Sequence, residues 1–199
     1  MIRWTAPHKV ARRLLERVQG HARCARQDIR GASAVEFALI APVLFLIFFG
    51  TVELSQGVAI DRKVTITART LSDLISQSTS ITNNDMANIF AAASSIMTPY
   101  SSSPLAAKVA AVSINGSGVA KVTWSDGSND TPRSVGSTVT VPTALAVPNT
   151  QLILSEVTYT FMPTVGYVVK AAIPLSSYSY TRPRQSSSIC RPPTVTTCS

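Results

Sequence analysis

The chain has 199 residues and a formal net charge of +8, which fits one modest domain with attachments and excludes a large multidomain enzyme. Hydrophobic residues make up 45% and charged residues 14%, the opposite of the composition of a disordered chain. The positive charge lies at one end, because residues 1–31 hold eight Lys or Arg against two Asp or Glu. The remaining chain has no basic patch of the kind that binds nucleic acid, so no nucleic-acid partner is predicted.

Residues 1–31 form a basic leader that is followed by a charge-free, mostly apolar run between Glu36 and Glu53. Extended by its neighbours, the run is long enough for a membrane-spanning helix over residues 32–60. Basic flanks stay in the cytoplasm, so the C-terminal part is predicted to lie outside. The alternatives are a buried core helix and a cleaved secretory signal, since small residues near position 60 match the spacing of a signal peptidase site.

Residues 61–98 are predicted to form a stem helix, which continues the span to about residue 78, and a second amphipathic helix. The stem repeats apolar residues on one face, at Val64, Ala68, Leu71 and Ile75. The second helix is predicted to begin after Asn83 or Asn84, either of which can cap it, and to end at Pro99. Its apolar face comprises Met86, Ile89, Phe90, Ala93 and Met97. Both faces are interpreted as core.

The segment 99–185 is rich in Pro, Ser, Thr and Val, which favours short strands. The sequences KVAAVSI and VAKVTW flank a turn and predict a hairpin. Further strands are predicted at residues 137–141, 152–161, 166–172 and 176–181. The predicted fold class is α+β, with an N-terminal transmembrane helix continuing into a stem helix, then a second helix and a small antiparallel β-sheet.

The junction of leader and apolar helix, residues 30–42, reads RGASAVEFALIAP. This order of a basic residue, Gly31, four small or apolar residues, Glu36 and an aromatic residue resembles the type IV prepilin processing motif. Together with APVLFLIFFGTVELS it resembles the TadE-like family of Flp (Tad) pilus assembly proteins. The resemblance implies that a prepilin peptidase cuts between Gly31 and Ala32 and that Glu36 acts in assembly. Phe37 in place of the usual Tyr, and the long domain that follows, indicate a minor pilin or pseudopilin.

The glutamate has a physical rationale of its own. A carboxylate at depth in hydrocarbon costs about 2.5 kcal/mol or more, so it needs a partner or a task. Cutting after Gly31 creates an α-amine on Ala32, one helical turn from Glu36, and the amine of one subunit can neutralise the glutamate of another. The alternative is that Glu36 only marks the polar end of the span. Pro42 predicts a kink, interpreted either as a softened segment or as a plain packing kink.

Catalytic groups are not expected in the exported part. Both histidines, His8 and His21, lie in the leader, so no enzyme activity, catalytic residue, metal or cofactor is predicted. The cluster of Asp126, Asn129 and Asp130 is interpreted as a turn, with calcium binding as the alternative.

The cysteines follow the predicted topology. Cys24 lies in the leader and stays reduced in the cytoplasm, whereas Cys190 and Cys198 lie in the extracytoplasmic tail, residues 186–199. We expect these two to form a disulfide that closes a small loop, the alternative being two free thiols.

The resemblance thus implies a non-enzymatic component of a Tad/Flp-type secretion system that helps to initiate or build an adhesive pilus. Its partners would be a prepilin peptidase, other minor pilins and Tad inner-membrane assembly proteins. It would be single-pass in a bacterial inner membrane, with a cytoplasmic N-terminus and a periplasmic domain. The alternatives are a signal-anchored or secreted β-rich binding domain unrelated to pili and, more distantly, a mitochondrial precursor.

Overall fold

The computed structural model describes residues 29–163 and 171–192 of the chain. Their elements in order are α1 (Ile29–Ser76), α2 (Asn83–Ser95), β1 (Leu105–Ile114), β2 (Ala120–Ser128), β3 (Thr150–Phe161) and β4 (Ile173–Thr181). The strands form one antiparallel sheet in the order β2-β1-β3-β4, so the predicted α+β class is confirmed. The chain divides into two compact units, Met1–Gly50 and Thr51–Ser199.

The described part of the first unit is the beginning of α1. Its side chains from residue 31 onwards are mostly exposed, and α1 continues through Pro42 without a break. The structure does not test the predicted kink, which stays a prediction.

In the second unit, the later part of α1 packs one face into the main core. The four predicted stem residues Val64, Ala68, Leu71 and Ile75 are all fully buried. They pack with residues from α2 and from one face of the sheet, among them Trp124 and Val157. The periodicity of the stem therefore identified its buried face correctly.

The beginning of α2 differs from the prediction. The N-cap is Thr82, whose hydroxyl accepts a hydrogen bond from the Asp85 N–H while the Asp85 carboxylate accepts one from the Thr82 N–H. This reciprocal pair satisfies two backbone donors at once, which neither Asn83 nor Asn84 does. Both asparagines are exposed residues of the helix. The predicted core face is present, with Met86, Ala93 and Met97 buried and Ile89 and Phe90 partly buried.

The β1–β2 hairpin forms as predicted. At its turn the Asn115 side-chain oxygen accepts hydrogen bonds from two backbone N–H groups, and Gly118 adopts a positive φ of 78°. The register shifts after Ala111, which leaves Thr123 as an extra residue in β2. This bulge turns Trp124 towards the main core.

A second, smaller core lies on the opposite face of the sheet, where Val112, Ile114 and Leu152 pack with Val139 from the connection between β2 and β3. The prediction of a strand at residues 137–141 is wrong, because this segment pairs with β2 only through a single bridge. Of the strand predicted at residues 166–172, positions 166–170 lie outside the described residues, and the described strand begins at Ile173.

Candidate processing and assembly site

The predicted cleavage point lies in the first turn of α1. Gly31 and Ala32 are exposed, and a Cβ added at Gly31 would meet no atom within 4 Å. The first N–H groups of a helix have no intrahelical partner, and glycine disfavours the helical state. The Gly31–Ala32 bond can therefore be unwound at low cost and presented to a peptidase in an extended form. Residues 1–28 of the leader lie outside the described residues.

Glu36 lies one turn beyond Ala32. The two positions share a face of α1 and are about 6 Å apart along its axis. Glu36 is exposed between Val35 and Phe37, which are themselves 61% and 66% exposed. No other charged residue occurs until Glu53. The described structure thus brings Ala32 and Glu36 onto one face with apolar neighbours, while Pro42 lies about 9 Å further along the axis.

The surface around Glu36 is apolar on all sides of the helix. Ten large apolar side chains between Val35 and Phe48 are each more than half exposed. Among the described residues, α1 is the one helix long and apolar enough to cross a membrane by length and composition, with a mean hydropathy of 2.3 over its most apolar window. A signal sequence passes the same test. A surface of this kind is stable in lipid or against other apolar helices.

The second unit places Cys190 in a short segment, residues 189–191, which we call the C-terminal clasp. Cys190 pairs with the α1–α2 connection, since its N–H donates to the Thr79 carbonyl and its carbonyl accepts from the Ile81 N–H, both at 2.9 Å. Cys190 is disulfide-bonded. Its predicted partner Cys198 lies outside the described residues, as does Cys24, so the pairing of Cys190 with Cys198 stays a prediction.

The two residues beside Cys190 fix the clasp to the sheet. Ile189 is fully buried, its carbonyl accepts the indole N–H of Trp124 at 2.9 Å, and its N–H donates to the Gln151 side chain at 2.8 Å. Arg191 donates two hydrogen bonds to the Asp126 carboxylate, at 2.8 and 2.9 Å, and its side chain is only 8% exposed. The clasp therefore joins the helix connection, β2 and β3.

The contacts of Asp126, Asn129 and Asp130 favour the turn interpretation of this cluster over calcium binding. Asp126 is engaged by Arg191, Asp130 forms a salt bridge with Lys108 at 3.1 Å, and the Asn129 amide donates to the Leu105 carbonyl. Asn129 also adopts a positive φ of 54°, as turn asparagines do. The cluster spans the end of β2 and the turn that follows it, and both of its carboxylates are held in ion pairs. No group of three or more potential metal ligands occurs within residues 29–163 and 171–192.

The clasp was not predicted from the sequence, because the segment is short, its buried residues are isolated and prolines follow it. Ile189 stands alone among serines, so it carries no periodicity that could mark a core segment. The partners Gln151 and Asp126 likewise have no pattern that links them to the C-terminus. Trp124 was one signal in the sequence that a further segment packs against the sheet, because a buried indole N–H needs a hydrogen-bond acceptor.

A family model described as TadE-like protein matches residues 31–70. The match begins at Gly31 and covers the exposed apolar part of α1 together with most of the stem. The resemblance predicted from the processing motif is therefore confirmed over this segment, and it associates the chain with Tad pilus proteins, a generally non-enzymatic family. The one helix of the described residues that is long and apolar enough to span a membrane fits a single-pass membrane protein. Comparison with curated proteins and with solved structures finds no match.

Proposed function

We propose that the chain is a minor pilin or pseudopilin of a Tad-type machinery, made as a precursor and cut by a prepilin peptidase between Gly31 and Ala32. The mature helix anchors it in the bacterial inner membrane, and its α+β domain lies in the periplasm. There it helps to initiate or build an adhesive pilus with other minor pilins and Tad assembly proteins. The observation that carries the proposal is that the TadE-like segment coincides with an exposed apolar helix whose first turn holds Gly31.

The arrangement also supports a role for Glu36 in assembly. After the cut, Ala32 carries a positive α-amine on the same face as Glu36, and both are surrounded by exposed apolar side chains. When two such helices pack in lipid, an amine of one helix next to a glutamate of the other neutralises both charges. The register that achieves this pairing is favoured over registers that leave either charge in hydrocarbon.

A cleaved secretory signal fits the structure less well. A cut near residue 60 would remove the first residues of the second unit, which begins at Thr51. These include Glu53, which is 6% exposed, and Gly57, which lies against the ring of Phe161. Removing them would uncover part of the folded domain, whereas a cut after Gly31 leaves that unit complete.

The decisive experiment is the intact mass of the full-length chain purified from membranes of a peptidase-competent host. A chain that begins at Ala32 supports the proposal, and an uncut chain in that host contradicts it. Gly31→Leu should abolish cutting. Since a Cβ added at Gly31 meets no atom within 4 Å and the residue is exposed, such a loss reports on the peptidase and not on the fold. A matched strain without the peptidase is the control.

Glu36 is tested separately from cleavage. Glu36→Leu should leave insertion and cutting intact, because a more apolar span inserts at least as readily. It should reduce pilus display and co-purification with partner pilins. Glu36→Asp should be intermediate, and Glu36→Gln, which keeps the shape without the charge, should resemble Glu36→Leu. Normal piliation by a correctly cut Glu36→Leu chain would reduce the residue to a boundary of the span.

A further inference from the structure

The two edges of the sheet differ in how they are protected. The edge of β2 is covered by the chain that follows it, since Val122 exchanges hydrogen bonds with Ser137 and Gly136 at 3.0 and 2.8 Å. Further along, the Arg133 N–H donates to the Ser125 hydroxyl at 3.0 Å. This edge is also interrupted by the bulge at Thr123. Covering loops and bulges are among the devices that prevent a strand edge from pairing with another chain.

The edge of β4 has no such cover from the described residues. Which backbone groups of β4 point outwards can be worked out from the pairing of β3. In β3, the Thr160 N–H donates to the Pro104 carbonyl and so points towards β1. Backbone groups alternate along an antiparallel strand, so Phe161 and its alternate neighbours face β4 instead. These β3 residues pair with Ile173 and every second residue after it in β4, so those β4 residues direct their backbone groups towards β3. The intervening residues of β4 therefore direct their backbone groups outwards; they are Pro174, Ser176, Tyr178 and Tyr180.

The side chains of β4 do not protect this edge either. The strand reads IPLSSYSYT and contains no charged residue. Pro174, the one residue in it that lacks an N–H, stands at the beginning, which leaves the N–H groups of Ser176, Tyr178 and Tyr180 available. In the described chain these three make no backbone hydrogen bond beyond the β3 ladder. An uncharged edge of this length is a template for strand addition.

We propose that β4 binds an extended segment of a second, different pilus protein, which adds antiparallel to the edge formed by Ser176, Tyr178 and Tyr180. Backbone hydrogen bonds would supply the affinity, and the exposed ring of Tyr178 would pack on an apolar or hydroxyl side chain of the added strand. The choice of a different protein rests on the proposed function, because it assumes that α1 anchors the chain in a membrane.

The direction of β4 argues against a second copy as the occupant. Gly57 of α1 lies against Phe161, the β3 partner of Ile173, and Ser72 of α1 bonds to Ser179 at 3.0 Å. The stem and β4 thus run in the same direction. Copies anchored in one membrane have their stems in the same sense, whereas a two-fold pairing of β4 with β4 makes these strands antiparallel. The other edge of a second copy is covered.

The charges beyond β4 indicate one feature of the added segment. Arg182 is exposed directly after the strand, and Arg184 is 58% exposed although it contacts Asp73. An antiparallel segment would begin near these guanidinium groups and run back towards the Gly57 end of the stem. An acidic residue near the N-terminal end of the segment would therefore be favoured, while its centre would be uncharged like β4 itself.

The test is photocrosslinking in cells that assemble the pilus, with p-benzoylphenylalanine in place of Tyr178 in the full chain. The matched control position is Val135, which is 60% exposed beside the covered edge of β2. We expect an adduct from position 178 but not from 135, and the crosslinked peptide should map to one segment of a different pilus protein; a protein outside the pilus machinery would contradict the proposal. Ser176→Pro removes an outward N–H and should lower the adduct about tenfold. Ser176→Ala loses only the hydroxyl contact with Thr158 and should not.

Four further results would overturn the proposal: no adduct at position 178 above the control, an adduct with a second copy, peptides scattered over many proteins, or an adduct that Ser176→Pro leaves unchanged. The crosslink at an exposed tyrosine does not depend on whether the proline variant folds. Piliation and the mass of the mature chain are measured in the same cells. Normal piliation and a correctly cut chain without an adduct reject only the strand addition. An adduct from an uncut chain rejects only the processing proposal.

Discussion

Asp126→Ala should destabilise the second unit strongly, because it deprives Arg191 of its carboxylate partner. The Arg191 side chain is 8% exposed and donates two hydrogen bonds to Asp126, whereas the Asp126 side chain is 26% exposed. Breaking a buried ion pair costs about 3–5 kcal/mol. Since water reaches the aspartate side of this pair, we expect the lower end, a loss of about 3 kcal/mol in the free energy of unfolding.

Asp130→Ala is the matched control, since it makes the same change four residues away, in the turn that follows β2. Its salt bridge with Lys108 has a distance of 3.1 Å, and both side chains are at least a quarter exposed. Exposed pairs of this kind contribute about 0–1 kcal/mol. The two variants therefore separate the loss of the partner of Arg191 from a general effect of removing a carboxylate near the end of β2.

The assay is thermal unfolding of the purified full chain in detergent, followed by the fluorescence of Trp124, which is 1% exposed and bonded to the clasp. The other tryptophan, Trp4, is changed to Phe in all variants so that the signal has one source. For a unit of this size we expect Asp126→Ala to lower Tm by about 6–12 °C and Asp130→Ala by less than about 4 °C. Equal shifts in the two variants would refute the assignment of Arg191 as a buried cation held by Asp126.

Three further predictions concern the second unit. Gly127→Ala should lower the free energy of unfolding by about 1–3 kcal/mol, because its Cβ would overlap the Asp130 carbonyl oxygen. Chemical denaturation measures this loss, and an unchanged midpoint would contradict the overlap. The Thr82 hydroxyl and backbone N–H hold the pKa of the Asp85 carboxyl below its ordinary 3.8. A lowered folded-state pKa adds stability that is present above the unfolded value and lost as pH falls through the folded one. Asp85→Asn should therefore lower Tm at pH 6, and its difference from wild type should shrink below pH 3.8; a constant difference argues against the linkage. Non-reducing peptide mapping should recover Cys190 linked to Cys198, and an alkylated Cys198 from a thiol-trapped sample would exclude that pair.

The parts of the fold that the sequence predicted are those in which one physical signal dominates. The buried face of α1 was predicted because four apolar residues recur at helical spacing on a segment with polar residues elsewhere. The β1–β2 hairpin was predicted because Asn115 and Gly118 offer the side-chain acceptor and the positive φ that its turn requires. The TadE-like resemblance was recognised over about residues 30–60 from Gly31, Glu36 and the apolar run, and the family model extends it to residue 70.

The failures involve competition between neighbouring residues or contacts across the chain. Thr82, Asn83 and Asn84 can all cap a helix, and Asp85 three residues after Thr82 decides between them through the reciprocal hydrogen bonds. Residues 137–141 have strand-like composition, yet they pair with β2 through one bridge. The clasp depends on partners far away in the sequence, which no local pattern encodes.

The clasp also determines when the domain can fold. Arg191 contacts Ile81, 110 residues earlier, and the buried Ile189 completes the core above Trp124. Closure over so long a separation must wait until the clasp itself is available. In a chain anchored as proposed, the polypeptide would cross the membrane in an open state and fold on the far side only after residues 189–191 arrive. A chain that terminates before Ile189 would remain anchored but permanently open, and so exposed to the proteases of the cell envelope.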